Sequence, residues 1–301
     1  MPLFLGLDIG GTKIAGGLVT ASGEVVQTAH CSTPAQDGGA AVLAVALALA
    51  RSLAAGQTMS GIGVGTGGQV NADLGVIVSA TELLPGWAGT PVKTAFENAL
   101  GVPTFVDNDV NALAIGEARF GTARDLPTVV FLALGTGVGG ALLLNGNVHH
   151  GAHWSGGEFG HLLLDISENA RLDAGGHRGT LEAYASGTGL ETTYRELTGT
   201  TRTGREIAAD AQHDPDGLAA QAITRTGEHL GYGLVSLANA LDPDLIVIGG
   251  GLTALGEPLI GPARAILRQR ALPGPAQCPV VTASLGINAA IIGAASLAMP
   301  T

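Results

Sequence analysis

Asp8 stands directly before Ile9-Gly10-Gly11-Thr12-Lys13, and Asp109 follows Asn108 at the end of a short apolar run. Phosphoryl transfer needs residues of this kind: turn donors and a cation for phosphate oxygens, and a base for an incoming hydroxyl. Lys13, beside the glycine turn, is one of only two lysines, the other being Lys93. The segment from Gly11-Thr12 to Leu18 is echoed by Gly135-Thr136-Gly137-Val138-Gly139-Gly140-Ala141-Leu142, and each copy has apolar residues before and after it. A strand–Gly-Thr turn–strand hairpin used twice would offer backbone N–H groups and Thr hydroxyls suited to a polyphosphate. Asp109 reads as a general base or as the N-cap of the helix it opens. Asp8 reads as a functional carboxylate or a turn residue, and Asn108 as a hydroxyl ligand or a turn residue. Glu158, His161 and Glu182 bring carboxylates and an imidazole that can accept from vicinal hydroxyls, although Glu158 and His161 could instead pair with each other.

These residues need strand ends and turns to hold them. Leu3–Leu7, Ile14–Val19 and Glu24–Cys31 read as short strands, joined by Asp8–Lys13 and by a Ser22-Gly23 turn. Helices are expected at 40–55, 91–100, 110–120, 181–196, 217–241, 258–270 and 288–298, and further strands at 61–65, 104–107, 128–134, 245–248 and 280–282. Strands alternating with helices predict an α/β fold with largely parallel sheets.

Composition excludes several classes. The chain has 301 residues, with 25 acidic against 14 basic side chains and a net charge of −11, which opposes nucleic-acid binding. Cys31 and Cys278 are too few for a disulfide framework or a cysteine-rich zinc site. The longest apolar run, Ala40–Ala50, is too short to span a bilayer, and Met1–Leu7 lacks a positive leader, so a cytoplasmic protein is expected. Gly63-x-Gly65-x-x-Gly68 and Gly135-x-Gly137-x-x-Gly140 both fit the dinucleotide pattern, but neither is followed by the helix that pattern requires. No Gly-x4-Gly-Lys-Ser/Thr loop occurs.

Asp8-Ile9-Gly10-Gly11-Thr12-Lys13 resembles the first phosphate motif of the sugar kinase, hexokinase and actin superfamily, and the ROK family in particular. The likeness continues along nearly the whole chain. Asn108-Asp109-Val110-Asn111-Ala112 is similar to the family's catalytic motif and Leu134–Gly140 to its second phosphate motif. Gly157-Glu158-Phe159-Gly160-His161 and Leu181-Glu182-Ala183-Tyr184-Ala185-Ser186-Gly187 resemble its sugar-binding motifs. Asp242-Pro243-Asp244, followed by Ile246–Gly251 with Gly249, Gly250 and Gly251, resembles its adenosine motif. The resemblance implies two actin-like (ribonuclease H-like) α/β domains with the active site in the cleft between them. Residues 1–110 with 288–301 would form the smaller domain and 111–287 the larger.

It further implies ATP- and magnesium-dependent phosphorylation of a hexose 6-hydroxyl, with glucose ahead of N-acetylmannosamine or N-acetylglucosamine. Asp109 would be the base, and Asn108, Glu158, His161 and Glu182 the sugar ligands. Asp8, Gly10, Gly11, Thr12, Lys13, Gly135, Thr136, Gly137 and Gly249–Gly251 would serve the nucleotide, Asp8 by orienting hydrated magnesium. A homodimer is expected, with neither nucleic acid nor membrane as partner. A sugar-responsive repressor from the same family would carry an N-terminal winged helix, whereas the first strand here begins at Leu3. A non-catalytic sugar-binding protein is opposed by the intact Asp8, Asp109 and both phosphate turns.

One departure is large. Family members commonly carry Cys-x-Cys-Gly-x-x-Gly-Cys before the Leu-Glu of the later sugar motif, and its zinc holds the histidine equivalent to His161. This chain reads Asp173-Ala174-Gly175-Gly176-His177-Arg178-Gly179-Thr180-Leu181-Glu182. A structural zinc is therefore expected to be absent, with His161 oriented by a carbonyl or carboxylate in Leu172–Arg178; the alternative is a site rebuilt by His161 with Asp173, His177 and one of His149, His150 or His153. His149, His150 and His153 lack a carboxylate at ligand spacing and read as an exposed loop.

Overall fold

A computed structural model describes residues 2–300. The chain divides into two compact units. The first takes everything up to Asp125, Leu142–Gly156 and the chain from Ala283 on; the second takes Leu126–Ala141 and Gly157–Thr282.

The first unit opens with β1 (Leu3–Ile9), β2 (Lys13–Thr20) and β3 (Val25–Ser32). After these come α1 (Gly39–Ala54), β4 (Met59–Thr66), a ribbon of β5 (Gln69–Asn71) and β6 (Val76–Ser79), α2 (Val92–Leu100), β7 (Thr104–Asn108) and α3 (Asp109–Phe120). The chain continues through β8 (Thr128–Leu134), β9 (Val138–Leu144) and β10 (Asn147–Val148). The second unit then adds α4 (Leu181–Ala185), α5 (Gly187–Thr198), α6 (Gly204–His213), α7 (Leu218–Leu241), β11 (Leu245–Gly249), α8 (Glu257–Arg270) and β12 (Val280–Thr282). Finally α9 (Ala289–Leu297) returns to the first unit.

The first sheet has the order β3-β2-β1-β4-β7 and the second β10-β9-β8-β11-β12. Strands β1, β4 and β7 run parallel, as do β8, β11 and β12, whereas β1, β2 and β3 are antiparallel. The sheets are thus mixed rather than largely parallel. The Gly-Thr and Ser-Gly turns are too short for the crossover that parallel neighbours require.

Side chains alternate across a strand, so β1 feeds two cores. Leu5, Leu7 and Ile9 pack with Val42, Ala46, Ala50 and Leu53 of α1. Phe4, of opposite parity, packs with Ile291 and Ala295 of α9. Glycine lets α9 lie close: a Cβ on Gly63 would overlap the Ala294 carbonyl, and one on Gly116 of α3 would come within 2.9 Å of the Gly293 Cα. Helix α3, which begins at Asp109, is thereby pressed against α9. The buried Glu117 completes this packing. Its carboxylate accepts from Thr122 N, Ser284 N and Leu285 N at 2.8, 2.7 and 2.9 Å, tying the chain's exit from the first unit to its return.

The helix expected over 181–196 breaks at Ser186. That residue is extended, and its hydroxyl caps α5 by accepting from Gly189 N at 3.0 Å. Helix α6 was not among the expected elements, and it carries a capping box formed by Thr203 and Glu206.

Candidate active site

In the first unit the register aligns Asp8 of β1 with Gly65 of β4, and Gly65 with Asp107 of β7. The loops that follow leave the C-terminal ends of three parallel strands, where open α/β sheets bind ligands. The turn after β1 is fastened from both sides. Gly10 N donates to Lys13 O at 3.1 Å, Thr33 Oγ1 donates to Gly10 O at 2.6 Å and Thr33 N to Thr12 O at 3.0 Å. A Cβ on Gly11 would come within 2.8 Å of the Leu83 carbonyl, so glycine is required there by space. Thr12 and Lys13 are exposed.

Asn108 caps α3, its Oδ1 accepting from Val110 N at 2.9 Å and Asn111 N at 3.3 Å, while its Nδ2 donates to Gly68 O at 3.0 Å. The cap is therefore Asn108, and Asp109 is the first helical residue, with Oδ1 accepting from Val110 N at 2.9 Å. Burial pushes the Asp109 carboxyl above its usual range, against hydrogen bonds from Val110 and its own amide. Burial, and then the neighbouring charge of Asp109, raises Asp8 to about 7 against the opposing pull of Lys13. Two carboxylates and one lysine leave this corner short of positive charge. A divalent cation on a bound phosphate would fit that deficit.

In the second unit, Gly135–Gly137 and Gly249–Gly251 lie at adjacent strand ends, since Gly249 of β11 pairs with Ala133 of β8. Gly250 has φ 88°, and a Cβ there would overlap the Leu134 backbone. Gly135 and Gly251 face open space, with nothing within 4 Å of an added Cβ. The Gly135 turn is closed by Gly135 N to Gly137 O at 2.9 Å and braced by α5, whose Gly187 N donates to Gly135 O at 2.8 Å. Thr188 Oγ1 donates to Thr136 O at 3.2 Å. Glu182 Oε2 accepts from Val138 N at 2.9 Å, which places this carboxylate directly behind the second Gly-Thr turn.

Glu158 and His161 flank a single 3-10 turn, with His161 N donating to Glu158 O at 3.1 Å; both side chains are exposed. Leu181 N donates to Leu162 O at 2.7 Å, which joins this turn to the start of α4. His161 Nδ1 lies 3.7 Å from Oδ2 of the buried Asp173, and His177 Nδ1 lies 3.3 Å from Oδ1. The three residues offer ligand atoms within 4.8 Å of one another. Asp173 already accepts from His177 N at 2.8 Å and from Thr180 Oγ1 at 2.9 Å. Burial pushes its carboxyl upward, but these bonds and the His177 charge outweigh burial and hold it below the usual range. Three nitrogen and oxygen donors do not make the closed four-ligand set of a structural zinc.

Of the three-histidine cluster, His149 and His153 are exposed, but His150 is not a bare loop residue. Its Nε2 stands 2.8 Å from Oδ2 of the buried Asp107, a carboxylate far away in sequence. No helix among the described residues is long and apolar enough to cross a membrane.

Known proteins resemble this chain over almost its full length. The ROK family model matches residues 4–300. A glucokinase of Halalkalibacterium halodurans is 34% identical, covering 96% of this chain and 93% of that protein. An N-acetyl-D-glucosamine kinase of Vibrio cholerae is 31% identical, covering 98% and 99%. The crystal structure of a ROK family glucokinase from Streptomyces griseus, in complex with glucose and AMPPNP, superposes with a TM-score of 0.82 at 29% identity, covering 98% of each chain. The α/β architecture of the two units is that of the actin-like ROK hexokinases. The chain belongs to the ROK family.

Proposed function

We propose that this ROK-family sugar kinase transfers the γ-phosphoryl group of ATP to the 6-hydroxyl of a hexose, with glucose as the preferred acceptor. The observation that carries this reading is the pair of partly buried carboxylates beside the braced Gly10–Lys13 turn: Asp8 near the end of β1, and Asp109 at the start of α3 just after β7, two strands that flank β4. Asp109 accepts the proton of the 6-hydroxyl as that oxygen bonds to the γ-phosphorus and ADP leaves. Its raised pKa strengthens it as a base near neutral pH. The turns at Gly10–Thr12 and Gly135–Gly137 serve phosphate oxygens, and Gly249–Gly251 the adenosine. Magnesium bound with the nucleotide would supply counter-charge to the phosphates, and Asp8 would be the residue that orients it. Asn108, Glu158, His161 and Glu182 bind sugar hydroxyls.

An ADP-coupled assay over glucose, N-acetylglucosamine and N-acetylmannosamine tests the reading, with the highest kcat/KM expected for glucose. N-Acetylglucosamine is the second reading, favoured by relatives of nearly equal identity named for that substrate. An N-acetylhexosamine preferred tenfold over glucose would replace the first reading with the second.

In place of a structural zinc, His161 is held by its surroundings, with the Asp173 carboxylate 3.7 Å from Nδ1 and the His177 ring packed edge-on at 4.8 Å between centroids. Purified protein should hold much less than one zinc per chain and keep its activity after chelation and magnesium readdition. One zinc per chain, lost together with activity, would show that His161, Asp173 and His177 work as a metal site instead.

A further inference from the structure

The loop 149–156 is fastened at two points on either side of Asn108. At one end, His150 Nε2 meets Asp107 Oδ2 at 2.8 Å. The other oxygen of Asp107 accepts from Asn108 N at 2.7 Å and Asn111 Nδ2 at 2.8 Å, so one buried carboxylate joins the loop to the start of α3. At the other end, Gln69 Nε2 donates to Ser155 Oγ at 2.9 Å, while Gln69 Oε1 accepts from Ser79 Oγ at 3.0 Å. Gly68, next to Gln69, provides the carbonyl that accepts from Asn108 Nδ2.

Between the two fastenings the backbone is strained. Trp154 has φ 61°, a left-handed conformation that is strained for a bulky aromatic residue. Its ring packs tilted against His150, with centroids 5.5 Å apart. Such a conformation persists only where its surroundings over-determine it, and the His150 and Ser155 contacts are those surroundings. Gly156 N, donating to His150 O at 2.8 Å, closes the loop on itself.

We propose that His150 is a positioning residue for the phosphoryl acceptor: paired with Asp107, it latches the 149–156 loop onto the corner between β7 and α3 and holds Asn108 in place for the sugar. This rests on the reading of Asn108 and Asp109 as the acceptor side of a kinase site. The hydrogen bond to Asp107 raises the pKa of His150 against partial burial, and the charges of Asp107 and Asp73 add to that rise. His150 acts through Asp107, since Nε2 is committed to that carboxylate.

The test is steady-state kinetics on His150→Phe, His150→Gln and Gln69→Ala, with wild type in the same assay. His150→Phe keeps a ring against Trp154 and loses the donor. Its sugar KM should rise at least tenfold while its ATP KM stays within twofold. His150→Gln keeps an N–H donor and should return the sugar KM to within threefold of wild type. Gln69→Ala cuts the other fastening and should raise the sugar KM several-fold, which also carries the test if His150→Phe fails to fold.

An unchanged sugar KM in His150→Phe, or a rise that His150→Gln does not repair, overturns the latch. So does a parallel rise in the ATP KM. Wild-type turnover separates this proposal from the reading beneath it: an active wild type with an unshifted His150→Phe removes the latch alone, and a wild type that phosphorylates no hexose removes the kinase reading.

Discussion

Asp109→Asn is expected to bind hexose almost as wild type does and to turn it over roughly 10²–10⁴-fold more slowly. The substitution is mild structurally because the cap of α3 belongs to Asn108, and a carboxamide oxygen at 109 can still accept from Val110 N. What disappears is the capacity to take the hydroxyl proton as phosphorus is attacked. If that capacity matters only in the transition state, kcat and kcat/KM fall together and the sugar dissociation constant stays put. The pH profile offers a second readout. Burial raises Asp109, and burial with the Asp109 charge raises Asp8, so wild-type kcat/KM should fall as pH drops through neutrality. Because the two carboxylates interact, that limb reports the pair rather than either residue. A variant keeping more than a tenth of wild-type turnover would assign the base elsewhere.

The strand–turn patterns around Asp8 and Asp109 are legible in sequence because they are local. An apolar strand followed by a carboxylate and a Gly-Gly or helix-opening step sets the geometry within a few residues. Strands 128–134 and 280–282 lie where apolar β-branched runs place them. Helix α6 is announced only by its capping box, Thr203-Gly204-Arg205-Glu206, because the segment after it is too polar to stand out by hydrophobic period. The break at Ser186 follows the same logic, since Ser186-Gly187-Thr188-Gly189 is a cap inside an apparent helix. Long-range partners were not legible. Nothing near His150 announces Asp107, and nothing near Glu117 announces Ser284, because each pairing is made by strands and helices that meet only after folding. The loss of the cysteines was plain, but the position of Asp173 between His161 and His177 depends on a tight turn closed by Asp173 N donating to His177 O.

Asp8→Asn should abolish turnover and yet make the unliganded protein more stable in mildly alkaline solution. Asp8 has a folded-state pKa of about 7 against an ordinary 3.8, so the folded chain holds a proton that the unfolded chain has released. A carboxyl shifted upward contributes its full stability below the unfolded pKa. That contribution drains away as pH rises from about 4 through about 7. At about 1.4 kcal/mol per unit, wild type should lose on the order of 3 kcal/mol between pH 5 and pH 8 relative to Asp8→Asn, which has nothing to titrate there. Both tryptophans, Trp87 and Trp154, lie in the first unit, so urea unfolding followed by fluorescence reads the unit that contains Asp8. The variant's midpoint should exceed that of wild type, with a gap that widens from pH 5 to pH 8. Magnesium and ATP should narrow it for wild type at pH 8, because a cation near the ionised carboxylate supplies the charge the apo corner lacks. A gap that stays constant with pH would mean that Asp8 is ionised in the free protein at both values, and the buried-carboxylate account of this corner would then be wrong.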